Sequence, residues 1–474
     1  MSQHANLETD YLVVGAGANG MAFVDTLIQH SDADVVMIDR RHRAGGHWLD
    51  AYPFVQLHQA SAFYGVGSTP LGQDRLERDG DEAGFAERAS GSEISGYYDE
   101  VLRHRLLASG RVRFFPMSEY FGDRRFRSRL TDQLTDVTVH RAVVDATYMA
   151  SRVPGTDPPP FAVADGVRCV PVGELTAVDE PPGGYDIIGG GKTALDAICW
   201  LLDQGTSPDS IRWVRPRDSW VLNRAFFQPG AGALPTFEGV VLTVEAVAES
   251  DSVEEIYERL EAAGLMLRTD TTVQPGMMRG ATLSLGELEQ LRRVSNIVRM
   301  GHVERIDVDE IVLEQGSIPT GADRLHVHCA SAGLSDKPPK PIFSDDTITL
   351  QGVTRVSISL SGALLGYVES TPRTTQEKNT LCPPNPWPHT PFDYLRAILV
   401  GMRTEVGWLE AADVQAFVDA SRLNLIHSLP DQDPATVSEL QNRFLGALFP
   451  ALTKLDQLAE RASPAEQARM QAAA

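Results

Sequence analysis

The 474-residue chain carries 42 Lys and Arg against 64 Asp and Glu, a formal charge of -22, which excludes a basic nucleic-acid surface because phosphate backbones are held by clustered cations. Hydrophobic residues make up 42% and charged residues 22%, the balance of a soluble globular chain long enough for two or three domains, and no unbroken apolar run reaches bilayer-spanning length. The polar residues 1–10 lack the basic flank and apolar core of a signal peptide, and Cys169, Cys199, Cys329 and Cys382 never form C-x-x-C, so a cytoplasmic protein with reduced, packed thiols and no membrane association is expected.

Residues 11–20 read Tyr-Leu-Val-Val-Gly-Ala-Gly-Ala-Asn-Gly, an apolar strand running into G-x-G-x-x-G. Gly15 permits the tight turn, Gly17 lets backbone approach a pyrophosphate, and Gly20 lets the following helix pack close to the strand. The diphosphate then sits on the helix N-terminus. Helical spacing over residues 21–30 and a second strand over residues 34–39 complete a βαβ opening. That strand ends in Asp39, about 20 residues beyond the glycines, where a carboxylate accepts hydrogen bonds from an adenosine ribose.

Residues 45–53 follow as Gly-Gly-His-Trp-Leu-Asp-Ala-Tyr-Pro. With this loop the opening resembles the class B flavoprotein monooxygenases, which carry FAD in a first Rossmann unit and follow its acidic residue with G-G-x-W and a nearby Tyr-Pro. The resemblance implies FAD on Gly15, Gly17, Gly20, Asp39, Arg40, Gly46, His47 and Trp48. In that family a T-N-x-S stretch lies beside the reactive edge of the flavin; here His58, Gln59, Ala60 and Ser61 take its place. Gln59 can donate and accept as an Asn would, and His58 is either a proton donor or a structural hydrogen-bonder. These two are the candidate catalytic residues.

Residues 72–91 are charged, glycine-containing and without period, which reads as a surface excursion or a lid. Residues 94–109 have helical spacing, and residues 112–115 and 137–147 read as strands. The family commonly ends the latter strand A-T-G, where Tyr148 replaces the glycine. Residues 151–160 form a Pro- and Gly-rich linker. Beyond it the family's best-known branches carry F-x-G-x-x-x-H; from Phe161 this chain has Val163 and Val167 at the Gly and His positions. The fingerprint is absent.

Residues 185–196 repeat the opening pattern as strand, Gly189-Gly190-Gly191-Lys192-Thr193-Ala194, helix. A Walker A loop would need glycine where Asp186 stands, so the repeat reads as a second dinucleotide cradle, with Gly189, Gly191, Lys192 and Thr193 as contacts. The next strand, residues 211–217, ends in Arg215 and Arg217 rather than an acid. Guanidinium pairs with a 2'-phosphate in forked geometry, so NADPH is favoured over NADH, with Arg215 the first candidate and Arg217 the second.

Helices over residues 253–263 and 285–298 and a hairpin over residues 302–313 follow. Residues 325–333 look like the strand by which the family returns to its FAD domain. His326 and His328 share one strand face while Cys329 takes the other, so no metal site is expected. Residues 361–369 open a last helix with glycines near the flavin, and the remainder is mostly helical and could close over the substrate pocket.

The expected architecture is α/β, with two Rossmann-like dinucleotide-binding domains, the NADPH domain inserted in the FAD domain, and a C-terminal helical region. Its boundaries are 1–155 and 323–390 for the FAD domain, 156–322 for the NADPH domain and 391–474 for the helices. The resemblance implies a monooxygenase that uses FAD, NADPH and dioxygen to oxygenate a small-molecule substrate through a C4a-(hydro)peroxyflavin. N- or S-oxygenation ranks slightly above Baeyer-Villiger chemistry. An FAD/NADPH reductase or dehydrogenase and a non-catalytic flavin-binding protein stay open as alternatives.

Overall fold

The computed structural model describes residues 4–331, 333–334, 337–354 and 357–461. Its first sheet grows from β1 (His4–Val14), whose Tyr11, Leu12 and Val13 are fully buried. α1 (Ala18–His30) carries the chain to β2 (Val35–Ile38), buried along its whole length. Such unbroken apolar runs mark parallel strands covered on both faces. After α2 (Gly91–Glu100), β3 (Val112–Phe115), the hairpin β4 (Ser118–Gly122) and β5 (Arg125–Ser128), and β6 (Leu134–Asp145), the sheet order is β3-β2-β1-β6-β5-β4. β1 lies parallel to both β2 and β6.

The second unit contains β7 (Ala162–Val163), β8 (Cys169–Pro171), β9 (Gly184–Ile188), α3 (Lys192–Asp203), β10 (Ile211–Val214) and β11 (Ser219–Asn223). α4 (Ala233–Glu249), α5 (Val253–Ala262), β12 (Met266–Leu267), β13 (Met277–Leu283), α6 (Leu285–Arg292) and β14 (Ile297–Val298) follow. β15 (Val303–Ile306), β16 (Glu310–Leu313), β17 (Gly316–Pro319) and β18 (Arg324–His328) close it. Its main sheet is all parallel, in the order β14-β10-β9-β18-β8.

Two expectations change here. Strand β18 belongs to the second sheet, not to the first, because Leu325 and Val327 enter the core built on Ile187 and Trp213 while His326 lies 3.1 Å from the Asp186 carboxylate of β9. The second unit therefore runs past residue 322, and the chain rejoins the first sheet at β19 (Thr347–Thr349), parallel to β6. Ala332 of the expected strand lies outside the described residues, as do residues 1–3 and 462–474 of the outer domains. The long α4 went unread in the sequence, since Pro235, Glu238 and Gly239 interrupt its period.

The last helices are α7 (Ile358–Ser370), α8 (Thr375–Leu381), α9 (Pro391–Gly407), α10 (Ala412–Ala420) and α11 (Pro434–Arg461). The glycines of α7 serve helix contact. A Cβ on Gly362 would stand 2.7 Å from the Asn19 carbonyl oxygen and one on Gly366 2.5 Å from that of Phe23, so α7 and α1 touch backbone to backbone. α9 and α11 pack on α4 and α5 through Val244, Val247, Tyr257, Leu395, Leu399 and Leu448. Residues 230–249 are long and apolar enough on average to cross a membrane by length and composition, although Pro235, Glu238 and Gly239 keep them from being an unbroken apolar run. In this structure half of that stretch is buried inside the protein.

Candidate active site

The first cradle has the geometry its glycines demand. Gly15 has φ +107°, and a Cβ on Gly20 would come within 2.2 Å of the Gly15 carbonyl oxygen, so the start of α1 lies directly against the turn. Gly46, at φ +59°, approaches Gly17 so closely that its Cβ would sit 2.9 Å from the Gly17 Cα. The Gly45 N–H donates to the Ala16 carbonyl at 2.9 Å, which fixes the Gly-Gly loop beside the cradle. Asp39 is buried, and its two carboxylate oxygens accept the main-chain N–H groups of Ala16 at 2.7 Å and Arg41 at 2.8 Å. It ties the strand end to the turn, with lone pairs left for a further donor.

Arg40 is exposed beside it. Gly17, the N-cap of α1, gives the helix no side-chain cap, and the Asn19 carboxamide oxygen is buried without a partner. Uncapped N–H groups at a helix start fit the diphosphate of a dinucleotide, whereas the Asn19 oxygen is an acceptor and calls for a donor instead.

The second cradle is built the same way. Gly189 has φ +141°, with the Cys329 carbonyl carbon 3.0 Å from where its Cβ would be, and a Cβ on Gly190 would meet the Arg217 carbonyl oxygen at 2.8 Å. Gly191 has nothing within 4 Å and caps α3 without a side-chain bond, so its face is open to a phosphate. Lys192 bends along α3 to Asp196, whose other oxygen accepts the Tyr52 hydroxyl at 2.5 Å. The lysine charge is thereby partly neutralised by its own helix.

Between the two units lies a cavity of about 580 Å³. His47, Trp48, Tyr52 and His58 line it from the first unit; Gly189 to Thr193 and Arg217 line it from the second. Trp48 is anchored there by donating its indole N–H to the Tyr64 hydroxyl at 2.7 Å. Of the C-terminal part, Trp387 of the proline-rich run reaches the cavity, while α9 to α11 do not line it, contrary to the expectation of a helical cover. The apolar faces of α9 and α11 are spent on α4 and α5, and α10 puts Val414 and Val418 into the core of the first unit.

His58 and Gln59 are separated. His58 lines the cavity, whereas Gln59 is not among its lining residues and its carboxamide reaches the Phe63 carbonyl of the same loop at 3.4 Å. Burial, followed by the charges of Lys192 and Arg224, holds the His58 imidazole well below the ordinary histidine value. Burial, with Arg41 nearby, brings His47 down to about 4. Both rings are neutral at neutral pH, which suits hydrogen bonding better than acid catalysis.

Arg215 does not stand where a 2'-phosphate would need it. It is 2% exposed, pairs with Asp218 at 2.6 Å, donates to the Thr269 hydroxyl at 2.8 Å and stacks on Trp213 at 4.0 Å. β10 ends at Val214, and the turn after it sends Arg215 into the protein and Arg217 to the cavity rim. Arg217 is exposed and lies over the cradle through Gly190. The order of the two candidates is reversed.

Several residues around the cavity carried no sequence signal. Arg224 is fully buried and donates to the His58 carbonyl at 3.0 Å and to the Glu287 carboxylate at 2.6 Å, and it pairs with Glu82. Against the cost of burial, Lys192, Arg224 and Arg88 hold the Glu287 carboxyl down at about 2. Arg422 donates to the carbonyls of Ala62 at 2.6 Å, Tyr64 at 2.9 Å and Thr69 at 2.8 Å, pinning the loop after His58. Glu82 and Ala86, the latter bonded through its N–H to Gln228 at 2.8 Å, tie residues 72–91 to the second unit, so that excursion is anchored rather than a free lid. Cys329 is in the cavity wall, with burial pushing its thiol up.

A family model described as an NAD(P)-binding Rossmann-like domain matches residues 13–58, the stretch from the first cradle to His58. Among solved structures, the chain is similar to cyclohexanone monooxygenase from Rhodococcus sp. Phi1 bound to NADP+, with TM-score 0.46, 14% identity and coverage of 80% of this chain and 89% of that one. It is also similar to the bacillithiol disulfide reductase Bdr (YpdA) from Staphylococcus aureus, with TM-score 0.45, 11% identity and coverage of 77% and 97%. Uncharacterized protein Rv2000 of Mycobacterium tuberculosis is 44% identical over 457 residues, which is 95% of this chain and 84% of that protein. The chain belongs to the family of Rv2000.

Proposed function

We propose that this protein is an FAD-dependent, NADPH-consuming monooxygenase of a small organic molecule, with transfer of oxygen to nitrogen or sulfur favoured. The observation that carries the reading is the single cavity shared by the Gly-Gly-His-Trp loop of the first cradle and the open face of the second. Two cradles facing one space are what hydride transfer between two dinucleotides needs. FAD, when bound, supplies the two-electron chemistry that links NADPH, dioxygen and substrate. The balance is NADPH, a proton, dioxygen and substrate giving NADP+, water and oxygenated substrate.

The chain's own residues bind, orient and exclude water. Gly15, Gly17 and Gly46 would hold the FAD diphosphate, with Gly20 letting α1 pack against the turn and Asp39 and Arg40 at the ribose. Gly189, Gly191 and Thr193 hold that of NADPH, and Arg217 meets its 2'-phosphate. Trp48 forms an apolar wall beside the reacting rings, and the neutral His58 orients a ligand by hydrogen bonding.

The test reduces the purified flavoprotein anaerobically with NADPH, admits ¹⁸O₂ in the presence of a panel of amines and sulfides, and assays products by mass. One labelled atom in a product supports the reading. Release of hydrogen peroxide equal to the NADPH consumed, whatever substrate is offered, refutes oxygen insertion in favour of a reductase or dehydrogenase. No loss of flavin absorbance on adding NADPH refutes both.

A further inference from the structure

His58 belongs to the first unit by sequence, yet it is held by the second. Arg224, at the end of β11, is 0% exposed and spends its guanidinium across the domain boundary. Nε donates to the His58 carbonyl at 3.0 Å, one terminal nitrogen pairs with Glu82, and the other donates to Glu287 at 2.6 Å and to the Thr282 carbonyl at 3.4 Å. The Thr282 hydroxyl donates to the same His58 carbonyl. Glu287 is itself fixed in the capping box of α6 with Ser284. Arg88 brackets the cluster, pairing with Glu82 at 2.9 Å and Glu287 at 3.7 Å.

A fully desolvated arginine is costly unless each donor is matched, and a forked guanidinium matched to partners from three segments permits one arrangement of those segments. The preceding Leu57 is held within the first unit, its N–H donating to the Ala89 carbonyl at 3.0 Å, but the His58 carbonyl itself is taken by Arg224 and Thr282 of the second. The carbonyl that Arg224 and Thr282 share is one bond from the Cα that carries the imidazole into the cavity. The charged groups facing that ring are Lys192 from α3, Arg224, Glu287 from α6 and Arg88.

We propose that Arg224 is a positioning residue that locks the His58 turn and the segment around Glu82 onto the second cradle, so that the cavity wall opposite Gly189 to Thr193 is set by the nucleotide domain it must face. It rests on the monooxygenase reading only where a hydride-transfer rate is measured. Displacement of reacting groups by about 1 Å costs on the order of 10²-fold in rate, and this is the size of effect expected when the lock is removed.

The test compares the FAD-loaded full chain with Arg224→Lys, Arg224→Met and Thr282→Val. Stopped-flow reduction by NADPH separates the limiting rate from the apparent Kd, and amide hydrogen exchange follows residues 57–89 and 189–202. Arg224→Met is expected to lower the limiting rate by about 10²-fold with the NADPH Kd within about twofold, and to speed exchange over residues 57–89 only. Arg224→Lys restores part of the rate through one carboxylate contact. Thr282→Val, which keeps the arginine and its ion pairs, moves both readouts the same way by less and stands in should Arg224→Met fail to fold. An unchanged limiting rate with a raised Kd, or unchanged exchange over residues 57–89 in both Arg224→Lys and Thr282→Val, overturns the proposal. If NADPH fails to reduce the wild-type flavin, the functional reading falls, and the exchange arm alone decides the positioning role.

Discussion

Replacing Arg217 and Arg215 one at a time separates nucleotide selectivity from stability. Arg217 is exposed at the rim of the second cradle, whereas Arg215 is 2% exposed beneath it. A hydrogen bond to a charged group contributes about 1.5–3 kcal/mol when sheltered, and exposure of the Arg217 side chain reduces this to about 1 kcal/mol. Arg217→Ala is therefore expected to weaken NADPH binding about 5-fold, at about 1.4 kcal/mol per tenfold, while leaving NADH binding and the melting temperature nearly unchanged. Arg215→Ala removes one partner of a buried ion pair, a change that costs about 3–5 kcal/mol. Asp218 keeps Arg299 at 2.8 and 3.1 Å, so the lower end of that range applies. The assays are titration of intrinsic fluorescence, which Trp48 and Trp387 place at the cavity, and denaturant unfolding. Loss of NADPH selectivity in Arg215→Ala at unchanged stability, with no effect of Arg217→Ala, refutes the assignment.

The two cradles predict opposite responses to added methyl groups. Gly20→Ala places a Cβ 2.2 Å from backbone oxygen and is expected to abolish FAD retention, whereas Gly191→Ala meets no atom within 4 Å and is expected to fold normally; flavin content and circular dichroism read the difference. Asp186 is buried under Arg212 at 2.7 Å and Arg324 at 2.8 Å. Against the cost of its burial, bonds from His326, Arg212 and Arg324 lower its pKa. Its contribution is therefore complete above the ordinary aspartate value and is lost only as pH falls below that toward the lowered native value. Asp186→Asn is expected to cost about 3–5 kcal/mol at neutral pH in denaturant unfolding. His47, brought to about 4 by burial, and His58, held by burial well below the ordinary histidine value, bind protons in the unfolded chain before the folded one. Stability is therefore expected to decline as pH falls through about 6.5, and calorimetry between pH 7.5 and 5 checks the sign; a flat or rising melting temperature contradicts it.

Local patterns reached the cradles because a glycine turn is written into six consecutive residues, 15–20 and 189–194. Gly15, Gly20 and Gly189 have the backbone conformations or contacts that only glycine permits, and buried β1, β2 and β9 show as apolar runs. What a strand joins was not written in it. Of the strand expected over residues 325–333, only the first part forms among the described residues, over residues 324–328, and its place beside β9 is decided by Leu325, Val327 and the His326 contact to Asp186, partners about 140 residues away. The same limit explains the reversal at the end of β10. Spacing puts Arg215 about 20 residues beyond the glycines, where a ribose contact is expected. The direction of its side chain is set by Trp213, Asp218 and Thr269. Arg224 is the extreme case, since its partners Glu82, His58 and Glu287 come from three segments and no periodicity surrounds it. In this chain the glycine cradles are local and legible, while the contacts that join the two units around His58 are long-range and ionic. Substitutions at the glycines should therefore remove a cofactor, and substitutions at Arg224 should leave both bound but misaligned.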